Sequence, residues 1–255
     1  MTVDHTRFDL TGKVAVVTGG SRGLGRAMAL GFAAAGADVA IVSRKMESCE
    51  ATAAEVEALG RRALPYACHV GQWDALEPMV DAVWNHFGRI DVLVNNAGLS
   101  PLYPSLDQVT EELFDKVFAV NIKAPFRLAA LVGARMAEGE GGSIINVSST
   151  ASLHSEPHTA PYGAAKAGLN HMTGTFAHAF GPKVRVNCII PGPFRTDIAA
   201  GWSDSEEFKQ RAQRYALKRI GEPEEIVGAA LYFADDRMSS FTTGALLRVC
   251  GGRTG

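Results

Sequence analysis

The chain predicts an α/β fold in which a parallel sheet is wound with helices on both faces. Three observations predict it. Short apolar runs alternate with longer stretches of helical length along most of the 255 residues, the pattern of strands joined by crossover helices. The runs are almost continuously apolar, as in strands covered on both faces. A glycine-rich turn follows the first run directly and opens the first helical stretch, an arrangement that aims a helix N-terminus at a phosphate. Together these give a single-domain, doubly wound Rossmann-type sheet.

The elements follow in order. Val14-Ala-Val-Val17 is the first strand, and 24–35 the first helix after the turn. Val39-Ala-Ile-Val42 is the second strand, followed by helical periodicity over 46–59 and 73–87. Ile90-Asp-Val-Leu-Val94 leads into a long helix over 111–137, and Ile144-Ile-Asn-Val147 into a helix over 160–180. Val184-Arg-Val-Asn-Cys-Ile189 and Leu246-Leu-Arg-Val249 are the last two strands. Phe194 to Arg219 interrupts the alternation with Trp202 and a Ser-Asp-Ser-Glu-Glu stretch. This segment, 194–219, reads either as a substrate lid or as a solvated crossover. No linker or repeat divides the chain, so residues 1–255 read as one dinucleotide-binding and catalytic domain.

Composition narrows the function. With 47% hydrophobic residues the chain is globular rather than disordered. A net charge of −2 and no Lys/Arg block argue against a nucleic-acid partner. Met1 to Leu10 is polar, and no segment reads as apolar over membrane-spanning length, so no membrane partner is expected and the compartment reads as cytoplasmic. Cys49, Cys68, Cys188 and Cys250 form no C-x-x-C pair, which leaves neither a disulfide nor a zinc pattern.

The residues that carry chemistry are Tyr162 and Lys166, with Ser149 upstream. A free tyrosine ionises near pH 10. A lysine one helical turn later shares its face, and its charge would lower that value. A serine hydroxyl beside them would hold a carbonyl oxygen. By itself such a pair also occurs on ordinary exposed helices. The turn Thr18-Gly19-Gly-Ser21-Arg22-Gly23-Leu24-Gly25 lets the backbone approach a pyrophosphate. An acid ending the second strand would bind an adenosine ribose diol; this chain has Ser43-Arg44-Lys45 there. Ser43 and Arg44, with Arg22 nearby, favour NADP(H) over NAD(H), unless Arg44 and Lys45 are simply surface charges.

Asn95-Asn96-Ala97-Gly98 ends the strand before the long helix. With Gly19-x-x-x-Gly23-x-Gly25, Ser149, Tyr162-x-x-x-Lys166 and Pro191-Gly192, the ordered set resembles the short-chain dehydrogenases/reductases, in their compact single-domain branch. The resemblance runs from about Thr11 to the C-terminus. It implies that Tyr162 is the general acid in reduction and the base in oxidation, and that Lys166 tunes it and binds the nicotinamide ribose. Ser149 would orient the carbonyl, with Ser148 a competitor one residue out of spacing. Asn121 would hold a water in a proton relay to the lysine. The implied cofactor contacts are Gly19, Ser21, Arg22, Gly23 and Leu24; Ser43 and Arg44; His69 and Val70; Asn96, Ala97 and Gly98; Tyr162 and Lys166; and Pro191, Gly192 and Thr196. Asn95 would tie neighbouring strands.

Two departures from the family pattern stand out. Cys68-His69-Val70 lacks the family's usual Asp after the third strand, and Val249-Cys250-Gly251-Gly252 lacks an Asp near the end. The resemblance also implies a homotetramer or homodimer through the long helices. Ala129, Ala130, Gly133 and Ala134 would permit close approach there, or would pack on this chain's own sheet. Leu99 to Tyr103, Ala151 to His158, Phe194 and Trp202 are the expected substrate walls. His154, Glu156 and His158 lack the helical spacing of a metal site. A small-molecule ketone, aldehyde or secondary alcohol is the expected substrate. The alternatives are a 3-oxoacyl-carrier-protein or acyl-CoA reductase, and a non-catalytic NADP-sensing protein.

Overall fold

The computed structural model describes residues 8–196, 212–213 and 215–252. Among them are seven strands: β1 (Val14–Thr18), β2 (Asp38–Ser43), β3 (Ala63–Ala67), β4 (Val92–Asn95), β5 (Gly142–Val147), β6 (Val184–Pro191) and β7 (Leu246–Val249). They form one parallel sheet in the order β3-β2-β1-β4-β5-β6-β7. The order reverses between β1 and β4, and the crevice beyond the carboxyl ends of those two strands is where such sheets bind ligands. Thr18–Gly19 and Asn95–Gly98 emerge into that crevice.

Strand residues alternate between two cores. Ala15, Val17, Val39 and Ile41 pack with Met28, Phe32 and Phe233 on one face. Val16, Ala40, Val42 and Leu93 pack with Met79, Leu128 and Phe176 on the other. The first core is covered by α1 (Gly23–Ala34), α2 (Met46–Ala58) and α7 (Val227–Ala234); the second by α3 (Leu76–Phe87), α5 (Ala124–Glu138) and α6 (Ala160–Phe180). Burying a side chain such as Phe32 completely stabilises the fold by about 2–3 kcal/mol. The doubly wound sheet is therefore the one predicted.

Three features differ from the sequence reading. The apolar runs name no strand over 63–67, because β3 is an edge strand, Ala-Leu-Pro-Tyr-Ala, that is only half-buried. The long helix over 111–137 is present but not uniform. It runs as α4 (Glu111–Phe118), a π-helical stretch Ala119–Lys123, and then α5. Its continuous span Glu111–Glu138 is long enough to cross a membrane and contains an 18-residue window of mean hydropathy 1.4, apolar enough to do so, which corrects the reading that no segment does. Half of that apolar window is buried inside the molecule, as expected of a core helix packed on the sheet and on α6.

The small residues of α5 divide in the same way. Ala129 and Gly133 are buried, and a β-carbon on Gly133 would lie 2.5 Å from the Phe180 ring of this chain's own α6. Ala134 is exposed. The lid expected at 194–219, with Trp202, lies mostly outside the described residues. Its near end is fixed, since buried Phe194 bridges to Gly221.

Candidate active site

The glycine turn is shaped by contact. Gly19 and Gly23 have φ of +65° and +51°, a region that favours glycine. A β-carbon on Gly25 would lie 2.2 Å from the Gly19 carbonyl oxygen and 2.5 Å from Asn96 Nδ2. Helix α1 can therefore start close under the turn only with glycine there. Leu24 packs against the first core, and the side chain of Thr196 sits beside Gly23, 3.3 Å from where a β-carbon would be.

Thr18 fastens this turn to the next loop. Its hydroxyl donates to Val94 O at 3.0 Å and accepts from the N–H groups of Asn96 and Ala97 at 3.0 and 3.1 Å. Asn96 Nδ2 donates back to Thr18 O at 2.8 Å. Sequence reasoning assigned Thr18 no such role, although a buried threonine ending a strand is the available signal. Asn95 ties strands as expected: its amide donates to Asn146 Oδ1 at 3.0 Å, and Asn146 donates to Thr173 Oγ1.

At the end of β2, Ser21 Oγ donates to Ser43 Oγ at 2.9 Å, linking the glycine turn to that strand. Arg22, Arg44 and Lys45 are exposed. Among the described residues none of the three forms an ion pair, in contrast to Arg26, which pairs with Glu55. The residues that follow Ser43 are thus exposed cations without ion-pair partners among the described residues. The glycine cradle and these cations fit the phosphates of a dinucleotide. His69 accepts the Gly71 N–H on Nδ1 at 3.2 Å and lines a 340 Å³ cavity with Gln72, Asp115, Lys116 and Val120. Val70 is buried in the second core. Pro191 ends β6, and Gly192 passes so close to Cys250 that a β-carbon would lie 2.7 Å from its Cα.

The residues expected to handle the proton converge at the carboxyl ends of β4 and β5. Ser149 follows β5 and caps a short 3₁₀ turn, Thr150–Ser152, by accepting the Ala151 N–H at 3.2 Å. Its hydroxyl lies close enough to the Tyr162 phenol to lower the pKa of that phenol. Ser148 points the other way and donates to Lys166 O, so it is Ser149 that meets Tyr162. Lys166 is 2% exposed and donates to Val147 O at 2.8 Å. A β-carbon on Gly98 would lie 3.0 Å from Asn121 Oδ1 and 3.6 Å from Lys166 Nζ. Asn121, fully buried in the π-helical stretch, donates to Leu99 O at 2.8 Å and Val117 O at 2.9 Å. The widened turn supplies the Val117 carbonyl that orients this amide; π-helical turns of this kind concentrate at functional sites.

Burial raises the Tyr162 phenol above its ordinary value, and the neighbouring Ser149 hydroxyl opposes it. The Lys166 ammonium lies 5.7 Å from the Tyr162 ring centroid and donates to Val147 O. Burial lowers Lys166 itself to about 8, and raises the neighbouring Cys188 thiol to about 12. A phenol, a serine hydroxyl and a buried amine with its proton loosened form a set suited to moving a proton at one oxygen atom.

A family model described as enoyl-(acyl carrier protein) reductase matches residues 19–254. The chain belongs to the short-chain dehydrogenase/reductase family. It is 35% identical over 250 residues to dehydrogenase/reductase SDR family member 4 of Pongo abelii, covering 97% of this chain and 90% of that one. It is 36% identical over 249 residues to a 3-oxoacyl-(acyl-carrier-protein) reductase of Thermotoga maritima, covering 95% and 98%. Among solved structures, a putative short-chain alcohol dehydrogenase from Sinorhizobium meliloti superposes with a TM-score of 0.92 at 37% identity, covering 96% and 98%. A blue fluorescent protein from a metagenomic library, solved in complex with NADPH, has a TM-score of 0.90 at 33% identity, covering 97% and 100%. The protein is thus an oxidoreductase of a family acting on CH–OH and C=O groups.

Proposed function

We propose that this short-chain dehydrogenase/reductase is an NADP(H)-dependent enzyme interconverting a small or medium carbonyl compound and its secondary alcohol. The observation that carries the reading is the placement of Ser149 beside the Tyr162 phenol, with a buried Lys166 one helical turn along, at the crevice where the strand order reverses. The dinucleotide supplies the hydride. Ser149 holds the substrate oxygen against the phenol, Tyr162 gives that oxygen a proton in reduction and takes it in oxidation, and Lys166 and Asn121 extend the proton path inward.

The preference for NADP(H) rests on Ser43 and on the unpaired, exposed Arg44. Arg44→Asp should move the ratio of kcat/KM for NADPH over NADH toward NADH. A wild-type preference for NADH, or no effect of the variant, would overturn this part. Purified protein with NADPH and a panel of ketones, aldehydes and sugar acids tests the activity itself.

The Thermotoga relative keeps acyl thioesters as the second reading. Against carrier-protein docking, the one basic residue in the stretch Arg135–Glu140 is occupied: Arg135 pairs with Asp81 and lies over the Trp84 ring. Acetoacetyl thioesters belong in the same panel and separate the two readings. We further propose a homotetramer or homodimer in the cytoplasm, read out by light scattering and by fractionation of the source cells.

A further inference from the structure

The helix that carries Tyr162 and Lys166 has no capping side chain of its own. Thr159, at its N-cap, makes no side-chain cap hydrogen bond, and Pro161 has no N–H to offer. The first helical N–H, that of Ala160, is instead accepted at 2.8 Å by the hydroxyl of Tyr103, fifty-seven residues earlier in the chain. The same hydroxyl donates to the Pro157 carbonyl. One phenol thus bridges a carbonyl and an N–H three residues apart, on a ring that is only 9% exposed.

Tyr103 belongs to the loop after β4. Four residues before it, Leu99 is held by Asn121 through both its N–H and its carbonyl. The loop is therefore fastened to the π-helical stretch at one end and to the start of α6 at the other. The second support of the Ser149 turn also comes from α6: Asn170 Nδ2 donates to Ser152 Oγ, which donates to Ser149 O. Tyr162 lies in the turn that Tyr103 caps, two residues after Ala160. Lys166 lies one turn deeper and is held separately by Val147 O.

We propose that Tyr103 is a positioning residue for the reaction: it caps α6 from the opposite wall of the cleft and so sets the Tyr162 phenol against Ser149. The cap stands on the geometry alone, while its effect on turnover rests on the carbonyl reductase reading above. Without the hydroxyl, the first turn of α6 frays, whereas Lys166 stays in place.

The test is Tyr103→Phe, which keeps the buried ring and removes both hydrogen bonds. Amide hydrogen exchange at Ala160 and Tyr162 should accelerate about tenfold, given the usual worth of one such bond, with the rest of α6 unchanged. The kcat for the best carbonyl of the panel should fall about tenfold, while NADPH affinity by fluorescence titration stays within twofold. Unchanged exchange at those two amides would overturn the cap. Faster exchange with wild-type kcat, or a parallel loss of NADPH affinity, would overturn the positioning role. If wild-type protein consumes NADPH with no carbonyl, it is the carbonyl reductase reading that fails, and the exchange experiment still decides whether Tyr103 caps the helix.

Discussion

Replacing Lys166 by Met should make the protein more stable at neutral pH while abolishing turnover. Lys166 is 2% exposed, and burial lowers its pKa from 10.5 to about 8. At ~1.4 kcal/mol per pKa unit, holding the ammonium charged at pH 7 costs about 3 kcal/mol. The variant also loses the bond to Val147 O, worth ~1 kcal/mol. The net expectation is a gain of about 2 kcal/mol at pH 7. The sign with pH follows from linkage: a lysine lowered in the folded state destabilises fully below pH 8, and the penalty fades between pH 8 and 10.5 as the folded amine is neutral and the unfolded one still binds its proton. Urea midpoints of wild type and variant, compared at pH 7 and pH 10, provide the assay. A variant less stable than wild type at pH 7, or a stability difference that does not shrink toward pH 10, would refute the reasoning. A residue kept at such a cost is expected where function requires it.

Tyr162→Phe should lower kcat by roughly 10²–10⁴, the usual worth of acid–base help, with NADPH affinity unchanged by fluorescence titration. Gly25→Ala should cost at least about 2 kcal/mol in urea unfolding and weaken cofactor binding, since its β-carbon would press on Gly19 O and Asn96 Nδ2. Alcohol oxidation should rise with pH as the coupled Tyr162–Lys166 site loses its proton, and carbonyl reduction should fall; a flat kcat profile in the oxidative direction would contradict the assignment of Tyr162 as base.

Much of the fold was legible because six of its strands are short apolar runs, five of them buried and β7 an exposed edge. β1, β2 and β4 to β7 lie at or within two residues of their apolar runs. β3 was not, because an edge strand containing Pro65 and half-exposed side chains carries no continuous run. The π-helical stretch was illegible for a different reason. Ala119–Lys123 has ordinary helical character in sequence, and the bonds from buried Asn121 to Val117 and to Leu99 on another loop are the contacts that accompany the wider turn. Spacing named the candidate site residues, but not the surroundings of their charges. Spacing put Lys166 on the face of Tyr162, whereas the direction of its ammonium depends on the Val147 carbonyl. Tyr103 was visible only as a wall residue, since its two bonds span loops distant in sequence.

The most direct test of the account is NADPH consumption by wild type and Tyr162→Phe, side by side, against the carbonyl panel with deuterium at the transferable position of NADPH. The account predicts at least one carbonyl reduced to a secondary alcohol with deuterium on its carbinol carbon, and near-complete loss of that turnover in the variant with NADPH still bound. Wild-type protein that transfers no deuterium to any carbonyl, or a variant that does so at the wild-type rate, would contradict it.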